Sequence, residues 1–240
     1  QEEQLRLLDR LNREHLSQHP GENDLEARMK SYGLAARMQV AAREAFNISG
    51  EAEATKKMYG IDQKVTRDYG TRCLIARRLV ERGVRFVQIL CNGQVWDHHG
   101  SIKTALPQRC VEVDKPAAAL VRDLKERGLL NSTIVHWGGE MGRTPTTQSG
   151  SKDVNKIGRD HHIDGYTMWM AGGGIRPGMT YGSTDEFGMK VAENKVDLHD
   201  LHATILHLMG FDHRRLTHRY AGREFRLTDV HGRIVNEILA

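Results

Sequence analysis

The spacing of apolar positions changes along the chain. Up to about residue 81, apolar residues recur three and four positions apart, with breaks at His19–Pro20 and Gly83. From Val84 to Cys91 the pattern becomes a short apolar, β-branched run, which is typical of a strand covered on both faces. The sequence therefore predicts a helical segment over residues 1–70 that packs on a core, and a second architecture over residues 71–240.

The second part alternates between predicted strands and helices. A periodic stretch ending at Gly128 separates the first apolar run from a second one at Thr133–Trp137, which is a β-α-β pattern. A third run covers Tyr166–Ala171, and a helix opens at Asp200 and stops at Gly210. We therefore expect an α/β fold, with a mostly parallel sheet flanked by helices.

Composition narrows the class of protein. The 240 residues are 39% hydrophobic and 28% charged, an ordinary balance for a soluble globular chain. No stretch approaches the roughly 18 consecutive apolar residues of a membrane span, so we expect no transmembrane segment. A net charge of +4 over this length is a weak field, and we expect no nucleic-acid partner. The three cysteines lack the C-x-x-C spacing of a zinc knuckle or redox pair.

Acidic and histidine side chains cluster beside the predicted strands. Eleven of the 13 histidines lie from His98 onward. Aspartate, glutamate and imidazole together are ligands of zinc, manganese or iron, whereas calcium and magnesium prefer oxygen alone. The sequence therefore predicts a divalent metal site, holding zinc or manganese in preference to calcium. Its candidate ligands, in chain order, are Asp97, His99, Glu140, Asp160 and His161.

Arg143 follows the second predicted strand and has two interpretations. Its guanidinium offers a planar fork for an oxyanion such as phosphate, sulfate or carboxylate. It could equally form a structural salt bridge to a nearby acid. The sequence leaves both roles open.

With these residues in view, the chain resembles the sulfatase-like family catalogued as domain of unknown function fifteen-oh-one, in the alkaline-phosphatase superfamily. The resemblance extends over essentially the whole chain. The matching segments are Ala76–Val87, Trp96–Gly100, Gly139–Pro145, Gly158–His162 and Asp200–Leu206 with Gly210.

The resemblance implies a sandwich of helices about a mostly parallel sheet, with two metal ions. Asp97 and His99 would hold one ion together with His161, and Glu140 would be an acidic ligand of the second. Asp160 would be a ligand or would orient His161. An anionic ester, such as a sulfated glycan, would contact a substrate-binding set consisting of Arg143, His98 and His162.

The function implied is metal-dependent hydrolysis of sulfate or phosphate esters. Family members begin with a twin-arginine leader, so the resemblance also implies export to the periplasm or cell envelope. Because this chain begins at Gln1, we expect it to be the C-terminal portion of an incomplete domain, with the catalytic nucleophile upstream.

Two alternatives remain at this point. One is a non-catalytic exported binding protein that keeps the fold. The other is a DHH-type phosphoesterase built on Asp160–His162. That class couples its triplet to a later Gly-Gly-Gly-His segment, whereas here Gly172–Gly174 is followed by Ile175.

Overall fold

A computed structural model describes residues 2–20, 23–148 and 150–240. The chain forms two compact units, one made of residues 1–52 and 78–87 and the other of residues 53–77 and 88–240. Helices account for 42% of the described residues. The helices of the described residues are α1 (Glu2–Gln18), α2 (Asn23–Phe46), α3 (Glu53–Met58), α4 (Arg67–Glu81), α5 (Ile102–Glu126) and α6 (Leu198–Leu208). Short 3₁₀ helices lie at Leu130–Ser132 and Asn236–Ile238. Among the residues that the structure describes, no helix is both long enough and apolar enough to span a membrane.

In the smaller unit, Arg78 in the last turn of α4 binds the C-terminal end of α2. Arg78 donates from Nη2 to the carbonyl oxygen of Glu44 at 2.7 Å and from Nε to that of Ala45 at 2.8 Å. These carbonyls belong to the last turn of α2, where no further helical N–H can reach them. Arg78 also forms an ion pair with Glu51. The guanidinium therefore satisfies the C-terminal carbonyls of α2 from α4.

The core of the larger unit contains a buried ionic cluster. Asp123 on α5 is 3% exposed, Arg77 on α4 is 2% exposed, and Tyr59 after α3 is fully buried. The Tyr59 hydroxyl donates to Asp123 Oδ2 at 2.9 Å, and Arg77 Nε lies 2.9 Å from the same oxygen. Burial, together with the Asp123 charge, raises the pKa of Tyr59, so the phenol stays neutral. This cluster fastens α4, α5 and the end of α3 together.

The prediction of a mostly parallel sheet is wrong. The strands of the described residues form four antiparallel pairs, each with two members. They are β1 (Val135–Trp137) with β4 (Trp169–Ala171), β2 (Gly142–Arg143) with β3 (His161–His162), β5 (Ser183–Thr184) with β6 (Val191–Glu193), and β7 (Thr217–Tyr220) with β8 (Arg223–Arg226). The second and third predicted strands thus exist as β1 and β4, but they pair antiparallel.

The first predicted strand is also wrong. Residues 84–91 belong to no strand, and Phe86 and Leu90 are 77% and 64% exposed. An apolar, β-branched run favours an extended backbone, but a strand also needs a hydrogen-bonded neighbour that local pattern does not specify. Without that strand, the part of the chain that the structure describes contains no β-α-β unit that would require parallel pairing.

Candidate metal centre

The first part of the candidate centre is a tight turn at residues 94–99. The backbone N–H of Asp97 donates to the Gln94 carbonyl, and that of His99 donates to the Asp97 carbonyl, both at 3.1 Å. Trp96 at the start of this turn packs edge-on against Trp137 of β1, with ring centroids 6.0 Å apart. The turn is therefore anchored on the β1–β4 pair.

The second part is the segment that leads into β3. Its backbone binds the turn directly, because Arg159 N–H donates to the His98 carbonyl at 2.9 Å and Ile102 N–H donates to the Ile157 carbonyl at 3.0 Å. Gly158 lies so close that a Cβ atom there would be 2.0 Å from the carbonyl carbon of His99. Only glycine permits this approach of two backbones.

These two segments bring three predicted ligands to one point. His99 Nε2, His161 Nε2 and Asp97 Oδ1 lie 3.1 Å from one another in every pairing. The side chains are between 30% and 47% exposed, so solvent reaches the group. Two imidazole nitrogens this close, both facing one carboxylate oxygen, need a proton or a cation between them. We call Asp97, His99 and His161 the triad.

The hydrogen bond on the far side of His99 defines its tautomer. His99 Nδ1 lies 2.5 Å from Gln148 Oε1, which can only accept, so Nδ1 carries the proton. The neutral Nε2 then turns its lone pair to the triad. A metal-ligating histidine commonly donates its other N–H in this way.

Arg143 forms a salt bridge with Asp97, which agrees with one of the two roles predicted for it. Register places it opposite His161 in the β2–β3 pair, so the two side chains share a face. Its guanidinium donates to Asp97 Oδ1 and to the Arg159 carbonyl. The hydrogen bond from Arg143, followed by that from His161, holds the pKa of Asp97 below its ordinary value. Asp97 is therefore a carboxylate at neutral pH.

Two predicted ligands lie outside the triad. Asp160 Oδ1 is 4.0 Å from His99 Nδ1 and accepts the backbone N–H of His161 at 2.8 Å, so it braces the start of β3. Glu140 is exposed, and its charge contributes, after burial, to a raised pKa of Tyr166. Among the described residues, the structure gathers no second group of three ligands around Glu140.

The two other histidines predicted to bind substrate are buried. His162 is 6% exposed, and its Nε2 lies 3.1 Å from the Gly188 carbonyl oxygen. His98 is also 6% exposed, and its Nε2 has no hydrogen-bond partner in the described part of the chain. Burial, with smaller contributions from Arg143 and Arg109, lowers the pKa of His98, so this imidazole is neutral.

Sequence reasoning missed Gln148 and Gly158. Nothing in the residue type of Gln148 distinguishes it within a polar loop. Gly158 opens the segment Gly158–His162 that the sequence analysis singled out, and a glycine directly before candidate ligands is a signal of close backbone approach.

Fold and site together define a mixed helical protein with short antiparallel strand pairs and a candidate mononuclear metal centre. The family described as protein of unknown function (DUF1501) matches residues 1–239, and the chain belongs to that family. No curated protein and no solved structure is significantly similar to the chain.

Proposed function

We propose that the chain holds one divalent metal ion, zinc or manganese, on the triad, and that this centre hydrolyses sulfate or phosphate esters. The observation that carries the proposal is the triangle of two imidazole nitrogens and one carboxylate oxygen, 3.1 Å apart, on partly exposed side chains.

The donor set fits a catalytic ion. Ligands about 2.0–2.2 Å from zinc in tetrahedral geometry stand roughly 3.3 Å from one another, close to the separations in the triad. Structural zinc sites close the sphere with four protein ligands, whereas hydrolytic sites keep three and leave a position open. Two histidines and one carboxylate match the second kind.

The surrounding residues have positioning roles. Gln148 keeps the Nε2 lone pair of His99 directed at the triad, and Arg143 holds the Asp97 carboxylate in place. When bound, a divalent ion supplies Lewis acidity and an activated water. The choice of an ester substrate follows from the motifs of the sulfatase-like resemblance alone, because the parallel sheet that the resemblance implies is not found among the described residues.

Elemental analysis of the purified chain after equilibration with zinc or manganese tests the metal. We expect about one ion per chain. His161→Ala removes one of three ligands and should lose the ion, whereas His207→Ala changes an exposed histidine of α6 and should retain it. Turnover of an aryl sulfate and an aryl phosphate by the same samples tests the reaction.

The results of these two measurements distinguish the proposed hydrolase from the alternative functions. A bound ion without turnover of either ester would favour a non-catalytic binding protein. Equal metal content in the wild type and His161→Ala would overturn the triad as its site. The geometry does not favour the DHH-type alternative. Of the three residues in that motif, Asp160, His161 and His162, only His161 belongs to the triad.

A further inference from the structure

The C-terminal hairpin, β7 with β8, is a well-defined element with two exposed faces. Four residue pairs join its strands, from Thr217 opposite Arg226 to Tyr220 opposite Arg223. Its two-residue turn, Ala221–Gly222, has φ values of 47° and 80°, as a type I′ turn requires. At its base, His213 Nδ1 lies 2.9 Å from Thr228 Oγ1.

Register places three aromatic rings and one guanidinium on the same face. His218 is opposite Phe225, and Tyr220 is opposite Arg223, two positions further along. Tyr220 is 68% exposed and Phe225 is 40% exposed. The Arg223 guanidinium lies over the Phe225 ring, 4.7 Å from its centroid. This face is a solvent-accessible platform of planar groups.

The same stretch concentrates the positive charge of the chain. Residues 214–226 contain five arginines and one carboxylate, Glu224, and so carry a charge equal to the net +4 of the whole sequence. In the described structure, the side chains of Arg214, Arg215, Arg219 and Arg226 form no salt bridge. By register Arg219 and Arg226 lie on the hairpin face opposite the aromatic rings, and Arg214 and Arg215 precede β7, so these four cations do not share the aromatic face. A local excess of positive charge of this kind attracts a polyanion.

We propose that this hairpin binds single-stranded nucleic acid. Unpaired guanidiniums match phosphates, and exposed planar side chains match bases, which stack on them without regard to sequence. A sulfated polysaccharide offers charge without planar rings, and a duplex keeps its bases covered. The Ala221–Gly222 tip has no large apolar side chain to enter a membrane. The weak net charge of the whole chain had led us to expect no such partner.

Fluorescence anisotropy with a labelled twelve-nucleotide oligothymidylate and the full chain tests the proposal. We expect saturable binding that weakens as salt is added. A plot of the logarithm of the binding constant against the logarithm of the salt concentration should have a slope of about −0.7 for each phosphate contact. Tyr220→Leu keeps apolar bulk but removes the ring, and should weaken binding by about tenfold. Phe187→Leu is the matched control, since this ring is 71% exposed outside the hairpin. Arg219→Ala should lower the salt slope.

Three results would overturn the proposal. The first is no saturable binding at low salt. The second is an equal loss of binding with Phe187→Leu, or none with Tyr220→Leu. The third is equal or tighter binding of another polyanion. Duplex DNA would indicate that the hairpin recognises charge alone, heparin that it binds a glycan, and anionic phospholipid vesicles that it binds a membrane. His161→Ala should bind the oligonucleotide normally, so this test is independent of the metal centre.

Discussion

Gln148 determines which nitrogen of His99 carries a proton, and this choice decides whether Nε2 can act as a ligand. Gln148→Leu removes the acceptor 2.5 Å from Nδ1, so the imidazole is free to adopt the other tautomer. We expect metal affinity to fall by about 10–100-fold, the usual effect of losing such a partner. Isothermal titration with zinc measures it.

Gln148→Glu is the matched control for this change. A carboxylate keeps an acceptor at the same distance and should preserve affinity. Equal affinities for the Leu and Glu variants would show that the tautomer of His99 does not depend on this side chain.

Gly158 lets the two segments of the centre touch. A methyl group there would lie 2.0 Å from the carbonyl carbon of His99 and 2.1 Å from its oxygen. Backbone cannot yield as a side chain end would, so Gly158→Ala should displace the turn, reduce metal binding and cost about 1–3 kcal/mol of stability.

The neighbouring Gly100 provides the comparison for that substitution. A Cβ at Gly100 would meet only the Lys156 carbonyl oxygen, at an ordinary 3.7 Å. Gly100→Ala should therefore bind metal as the wild type does. Metal titration and thermal unfolding of both variants distinguish local crowding from a general intolerance of this loop to alanine.

Residue chemistry could be predicted at this site, but orientation could not. The types and clustering of Asp97, His99 and His161 indicated a common centre, and the structure places their donor atoms together. The same reasoning gave Glu140 and His162 roles that depend on which way a side chain points. For His162 that direction follows from strand register, and for Glu140 from the loop between β1 and β2; composition and spacing contain neither.

At the scale of elements, helices followed from the sequence far better than strands. The helix predicted from Asp200 to Gly210 is α6, which begins two residues earlier, at Leu198. Asp197 is its N-cap, and Gly210 follows its C-terminal end with a φ of 83°. Its signals are local. Pairing of β1 with β4 joins residues more than 30 positions apart, and no local pattern selects that partner.

The buried cluster around Asp123 makes a prediction about how the helices of the larger unit hold together. Asp123→Ala would remove the carboxylate that pairs with the Arg77 guanidinium, which is 2% exposed, and that accepts from the Tyr59 hydroxyl. We expect a loss of about 3–5 kcal/mol, typical of removing one partner of a buried ion pair. Urea denaturation followed by circular dichroism measures it.

Asp114 on the same helix is exposed and serves as the control. Asp114→Ala should change stability by no more than about 0.5 kcal/mol, as surface substitutions usually do. A loss from Asp123→Ala as small as that would mean that the cluster is not essential for the packing of α4 on α5.

At the scale of the whole molecule, the proposed metal site would couple metal binding to folding. Asp97 and His161 are 64 positions apart in sequence, and only the folded chain brings their donor atoms within 3.1 Å. An ion that binds the folded chain alone stabilises it by mass action, by about 2.7 kcal/mol at a free concentration one hundred times Kd.

Thermal unfolding should therefore depend on metal. We expect Tm to rise with added zinc or manganese and to fall with a chelator, by several degrees for a stabilisation of that size. His161→Ala should lose this dependence, while His207→Ala should keep it. The unfolded chain also exposes many histidines that can bind metal, which reduces the shift in both variants equally. A metal-dependent Tm that persists in His161→Ala would place the stabilising ion elsewhere, so the difference between these two variants isolates the triad.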